Sequence, residues 1–232
     1  MLDLSADEWT AVRLSLRIAL TATAFALPAG VLAAYALARW RFPGKALLDG
    51  IVHLPLVLPP VVTGYLLLVL FGRRGVLGAF FADELGIVFA FRWTGAALAC
   101  GVMGFPLMVR AIRLSIEAID RRLEDAAGTL GANGPWTFAL ITLPLALPGV
   151  LVGAILCFAR ALGEFGATIT FVANIPGETR TISAAIYTYT QVPGGDVYAW
   201  RLTAIAVAIA LAALVVSELI ARIANRRLAQ FE

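Results

Sequence analysis

Long apolar stretches alternate with short polar, basic segments along this chain. Four runs, residues 18–38, 51–71, 138–159 and 202–220, are nearly free of charge. A fifth, residues 94–109, reaches a similar length when extended through 112–116. About 20 apolar residues are needed to cross a hydrocarbon core as a helix. Backbone N–H and C=O groups in lipid must pair within their own segment, so such runs form helices. The period-two alternation of a membrane barrel is absent. The pattern predicts an all-α fold, a polytopic membrane helix bundle of about five transmembrane helices, with residues 1–232 forming one transmembrane domain.

Composition supports lipid as the solvent. Hydrophobic residues make up 61% and charged residues 14% of the 232 positions, against about 45–50% and about 25% in soluble domains. A net charge of +3 is too weak for a nucleic-acid partner, and no basic patch carries interleaved aromatics. Cys100 and Cys157 both lie inside apolar runs and read as small interior side chains. With His53 the single histidine, no structural zinc site and no cofactor is expected. Asp3, Asp7 and Glu8 occupy the start, where a secretory signal carries positive charge. The first apolar run therefore reads as a retained span.

The basic residues fall into two groups that together account for all 18 Lys and Arg. Arg39, Arg41, Lys45, Arg110, Arg113, Arg121, Arg122, Arg222, Arg226 and Arg227 follow alternate runs and mark the cytoplasmic side under the positive-inside rule. Arg13, Arg17, Arg73, Arg74, Arg92, Arg160, Arg180 and Arg201 fall on the other. Ten against eight favours an outside N-terminus and a cytoplasmic C-terminus. Residues 162–200 contain Thr, Gly, Pro and charge, and their apolar pieces are too short to cross. They are expected to form an external loop with a short helix at 181–191 dipping toward the bundle, a natural place for a gate.

Between the third and fourth runs lies Leu123-Glu124-Asp125-Ala126-Ala127-Gly128-Thr129-Leu130-Gly131. Asp120 suits the N-cap of a helix beginning at Arg121. Leu123, Ala126, Ala127 and Leu130 then share one face. Gly131, Asn133 and Gly134 end that helix, and Pro135 prevents its continuation. Such an element is either anchored among lipid headgroups or seated as a knob in a groove of a soluble partner. The residues alone leave both open.

This segment resembles the signature of binding-protein-dependent ABC importer permeases: Glu-Ala-Ala, then Gly after three residues, then Ile after nine more, then one residue and Leu-Pro. Here the positions are Asp125-Ala126-Ala127, Gly131, Ile141 and Leu143-Pro144. Asp replaces the first Glu, and Glu124 directly precedes it, so either acid is a candidate for the partner contact. The segments Arg41-Phe42-Pro43-Gly44-Lys45, His53-Leu54-Pro55-Leu56-Val57-Leu58-Pro59-Pro60, Arg160-Ala161-Leu162-Gly163-Glu164-Phe165-Gly166-Ala167-Thr168 and Ile175-Pro176-Gly177-Glu178-Thr179-Arg180-Thr181 resemble the molybdate branch of that family. Sulfate and thiosulfate permeases are similar over Arg160–Glu164. The resemblance implies a cytoplasmic coupling helix within residues 118–136, two copies of a cytoplasmic ATPase subunit, a periplasmic molybdate-binding protein and a homodimer in the inner membrane. Permeases of the same family for tungstate, sulfate or thiosulfate are the alternative.

No Gly-x-x-x-x-Gly-Lys-[Ser/Thr] occurs in the sequence, so energy must come from a partner and the chain is expected to be non-catalytic. A dianion in transit should not meet deep fixed positive charge, which would stop it leaving. The hydroxyls of Thr168, Thr170, Thr179, Thr181 and Ser183 are candidates for the path, with local capping as the competing role of each. Arg160 and Glu164 stand four apart and are expected to pair. An ion-gradient transporter would need ionisable groups at mid-span, and a membrane-embedded enzyme would need a base and nucleophile or metal ligands. Neither set is present in the sequence.

Overall fold

The computed structural model describes residues 4–228, with side chains through residue 222. Asp3, used above for the retained first span, and Arg226 and Arg227, used for orientation, lie outside the described residues or side chains. Eleven α-helices are found among the described residues, and no strand. They are α1 (Ala6–Arg39), α2 (Lys45–Val57), α3 (Pro60–Phe71), α4 (Val76–Leu85), α5 (Trp93–Glu117), α6 (Arg121–Thr129), α7 (Gly134–Thr137), α8 (Leu143–Leu162), α9 (Gly166–Val172), α10 (Ile182–Thr190) and α11 (Asp196–Leu228). A π-helical turn, Phe138–Thr142, joins α7 to α8. Four helical spans are long and apolar enough to cross a membrane, and α2 with α3 makes a fifth when the bent pair counts as one.

The first span begins twelve residues earlier than its apolar run. Ser5 and Glu8 form a capping box: Ser5 N donates to Glu8 Oε2 at 2.7 Å, and Glu8 N donates to Ser5 Oγ at 3.3 Å. Two otherwise orphaned backbone donors are satisfied there, so the helix starts among polar residues. With 34 residues, α1 is about 51 Å long.

The run 51–71 is not one straight span. It breaks at Leu58 and Pro59 into α2 and α3, with a bend of 116° between them. Pro59 and Pro60 supply no N–H, and a residue before proline is pushed out of the helical region. Leu58 (ψ 141°) and Pro59 (ψ 134°) are accordingly extended. Leu143-Pro144-Leu145-Ala146-Leu147-Pro148, which repeats the Leu-Pro-Leu-x-Leu-Pro order of residues 54–59, is followed by glycine rather than a second proline and stays helical.

The centre of the bundle is α5, whose span is 67% buried, whereas that of α11 is 6% buried. Small residues allow this. A Cβ at Gly104 would stand 2.6 Å from Cys157 Sγ on α8, and one at Gly153 would stand 2.9 Å from Met108 O on α5. Without water to drive association, close backbone approach supplies much of the packing between spans. Both cysteines are fully buried in this interior.

Contacts sort the helix ends into two groups. At one end, Glu8 pairs with Arg201, Ser15 Oγ accepts from Ile182 N at 2.8 Å, and Arg92 approaches Glu178 at 3.7 Å. At the other, Arg39 meets Glu124, Arg113 meets Asp49, and Ala221 lines a groove with Ile119, Asp120 and Leu123. The segment between α8 and α11 stays at the first end. Its α10 matches the expected helix, with Thr181 as N-cap and Gln191 as C-cap. The buried α9 and the outlying α4 were not anticipated, because each is shorter than a span and flanked by Gly or charge.

Candidate functional site

Two regions carry the candidate residues, one at each end of the bundle. The α6 element forms as its residues dictate. Asp120 Oδ1 accepts from Arg122 N at 2.9 Å. At the other terminus Ala132 N donates to Ala127 O at 3.0 Å and Gly131 N donates to Gly128 O at 3.0 Å. With Gly131 at φ +88°, this is a Schellman closure, which needs a left-handed residue at that position. Asn133 and Pro135 behave differently from expectation. Asn133 Oδ1 accepts from Trp136 N at 3.1 Å and starts α7, with Pro135 in its first turn. Proline fits there because its missing N–H would have had no partner.

None of the residues of α6 is buried. Leu123 is 49% exposed and Leu130 is 89% exposed, beside Trp136 at 60%. The apolar face of α6 is therefore not used up by its own chain.

The two neighbouring acids have different surroundings. Asp125 is exposed and has no side-chain partner among the described residues. Glu124 turns inward. Arg39 Nε donates to it at 3.1 Å, and Thr142 Oγ1 donates to Glu124 Oε1 at 2.7 Å. The Arg39 and Glu124 side chains are 8% and 16% exposed, and Thr142 is fully buried. Arg39 also donates through Nη2 to Ile119 O at 3.1 Å, satisfying a carbonyl just past the end of α5. Sequence reading missed Arg39 and Thr142 here. Arg39 looked like one basic anchor among ten, and a lone threonine inside an apolar run gave no signal.

The rest of the signature shapes the return into the bundle. Ile141 lies in the π turn, and Leu143 N reaches Phe138 O across it. Pro144 stands in the first turn of α8. A proline inside a continuous helix clashes with the carbonyl four residues before it; the widened turn immediately upstream gives that carbonyl room. Leu143 packs against the interior with Met108, Ile112 and Ala146.

At the opposite end, Arg160 Nη1 pairs with Glu164 Oε2 at 2.7 Å, as the spacing predicts. Glu164 is 1% exposed and its Oε1 also accepts from Ala167 N at 2.8 Å, capping α9. The candidate hydroxyls are engaged locally. Thr168 donates to Phe165 O, Thr170 to Gly166 O, and Ser183 to Leu162 O. Thr181 caps α10. Thr179 donates to Ala173 O at 3.2 Å and accepts from Ile175 N at 2.9 Å. Ala173 has φ +62° and ψ −158°, a region populated almost only by glycine, and such strain persists where its surroundings over-determine it. The structure thus gathers these residues into one folded segment, with hydroxyls turned to backbone. Against it, α3 and α9 approach closely: a Cβ at Gly64 would collide with Ala167 O, and one at Gly166 would stand 2.7 Å from Pro60 Cβ.

Comparison with known proteins gives a consistent picture. Residues 26–230 match the family described as binding-protein-dependent transport system inner membrane component. The chain is 60% identical to the molybdenum transport system permease protein ModB of Escherichia coli over 224 residues, 97% of this chain and 98% of that one. It is 51% identical to the ModB of Haemophilus influenzae over 223 residues, covering 96% and 97%. Among solved structures, a bacterial alginate ABC transporter in complex with an alginate pentasaccharide-bound periplasmic protein superposes with a TM-score of 0.70 at 20% identity, covering 97% of this chain and 81% of that one.

Proposed function

Because this chain belongs to the family of binding-protein-dependent transport system inner membrane components, we propose that it carries molybdate across the bacterial inner membrane as half of a homodimer. It is the non-catalytic, multi-pass permease subunit of an ABC-type importer. In the proposed assembly each copy seats α6 in one of two ATPase subunits, and a molybdate-binding protein delivers the dianion at the opposite end. The N-terminus faces outside and the C-terminus faces the cytoplasm, as the basic clusters near α6 favour.

The observation that carries the coupling role is the exposed, well-capped α6, whose apolar face and Asp125 are free to meet a partner. Glu124, Asp125, Ala126, Ala127 and Gly131 form this element, while Ile141, Leu143 and Pro144 tie it to α8. Identity along nearly the whole chain to two molybdenum permeases supports the substrate. ATP draws the partner subunits together, α6 moves with them, and the spans rock to expose the path alternately to either side. The nucleotide shifts that equilibrium only by its differential affinity for the two states. Arg160, Glu164, Thr168, Thr170, Thr179, Thr181 and Ser183 act as the frame of the outer gate, holding residues 160–183 in shape.

The test is uptake of labelled molybdate into liposomes containing the permease, its ATPase and its binding protein. We expect ATP-dependent accumulation that excess sulfate does not compete away. Accumulation of sulfate but not molybdate would overturn the substrate. A cysteine at position 128 should crosslink to the ATPase subunit in the same vesicles, and absence of the crosslink from 125 through 130 would remove the docking role.

A further inference from the structure

We propose that Glu124 is not a docking contact but a latch, fastening the coupling helix to the transmembrane bundle through Arg39 and Thr142. The inference rests on α6 being the element that meets the ATPase. Two donors distant from it in sequence, Arg39 and Thr142, converge on the Glu124 carboxylate, and Arg39 also holds the carbonyl of Ile119. Arg39 ends α1, Ile119 follows α5, Glu124 lies in the first turn of α6, and Thr142 closes the π turn before α8. The hydrogen bonds span 2.7–3.1 Å.

Each position suits its charge. A cation in the last turn of α1 and an anion in the first turn of α6 both oppose the local helix dipole. Charge-assisted bonds are stronger than neutral ones, and here they are largely shielded from water. With no other side-chain hydrogen bond from α6 to a span among the described residues, movement of α6 reaches α1 and α8 chiefly through Glu124. Asp125, one residue on, is left to face the partner.

The prediction is a division of labour between adjacent acids. In the reconstituted complex, Glu124→Gln or Arg39→Gln should lower molybdate transported per ATP hydrolysed by about tenfold, the scale of a typical coupling free energy. The ATPase subunits should still co-purify in the wild-type ratio. Thr142→Val should give the same defect in milder form, and Arg39→Lys should restore part of the ratio lost with Arg39→Gln. Asp125→Arg should instead reduce co-purification of the ATPase.

An unchanged transport-to-hydrolysis ratio in both Glu124→Gln and Arg39→Gln would overturn the latch. So would loss of ATPase binding on Glu124→Gln with none on Arg39→Gln, because Glu124 would then face the partner. If Glu124→Gln fails to fold, Thr142→Val and Arg39→Lys carry the same decision. Failure of the docking itself is a separate result, seen as missing crosslinks from position 128 in the unmodified background.

Discussion

At the start of α1 a carboxylate is wholly enclosed. Glu8 is 0% exposed, receives Ser5 N, and pairs with Arg201 at 3.1 Å. Glu8→Ala removes a largely enclosed ion pair and one half of the capping box at once. We expect Glu8→Ala to lower the thermal midpoint in detergent well beyond Glu218→Ala, since the Glu218–Arg222 pair is exposed; equal midpoints would remove the anchoring role. Gly131 gives a second prediction. A left-handed conformation costs a residue with a Cβ about 1–2 kcal/mol, and more for a branched side chain. Gly131→Val should thus unwind the end of α6 and depress uptake while the spans remain assembled, read by uptake and by size-exclusion profile. Asp120 is legible as a cap because the backbone donor it serves lies two positions on, whereas Ser5 and Asn133, with donors three positions on, carry no such signal in the sequence reading. Glu8 was noted only as a charge. Its partner Arg201 is 193 positions distant, and no local pattern encodes such a pairing.

Among the helices, hydropathy located the spans well and their shapes poorly. Residues 94–116 became α5 almost as expected, because 94–109 carries no charge and the apolar pattern resumes past Arg110 and Arg113. The bend between α2 and α3 was missed although Pro59-Pro60 was in view, since a hydropathy window averages over a backbone break. The unexpected α9 shows the opposite failure: seven residues are too few for periodicity, and the helix is held by the Glu164 cap and by burial of Phe171 and Val172. Packing of α5 on α8 depends on Gly104 and Gly153. We expect Gly104→Leu, which must displace Cys157, to abolish recovery of monodisperse protein from membranes, whereas Gly128→Ala, which meets open space, should be recovered normally. Normal recovery of both would mean that this helix pair tolerates separation.

For the molecule as a whole, the two-ended arrangement of contacts makes the topology testable. Single cysteines at Leu130 and at Gly194, in a background lacking Cys100 and Cys157, should react with a membrane-impermeant maleimide from opposite sides. Labelling of position 130 from outside intact cells would reverse the proposed orientation. The alternation of basic groups was readable in the sequence, but which helices touch was not. That depends on shape matching among small residues, and composition says little about shape. The extent of α1 has a mechanical consequence. Its first turns hold α10 and α11 through Ser15 and Glu8, and its last holds α6 through Arg39. One continuous rod therefore touches both ends of the bundle. About two-thirds of the way along it, Pro28 leaves a backbone carbonyl without its usual donor, a natural pivot in an otherwise stiff strut. Tilt imposed at α6 would travel along this rod to the opposite end of the bundle, turned at Pro28 as a stroke is turned at the joint of a connecting link.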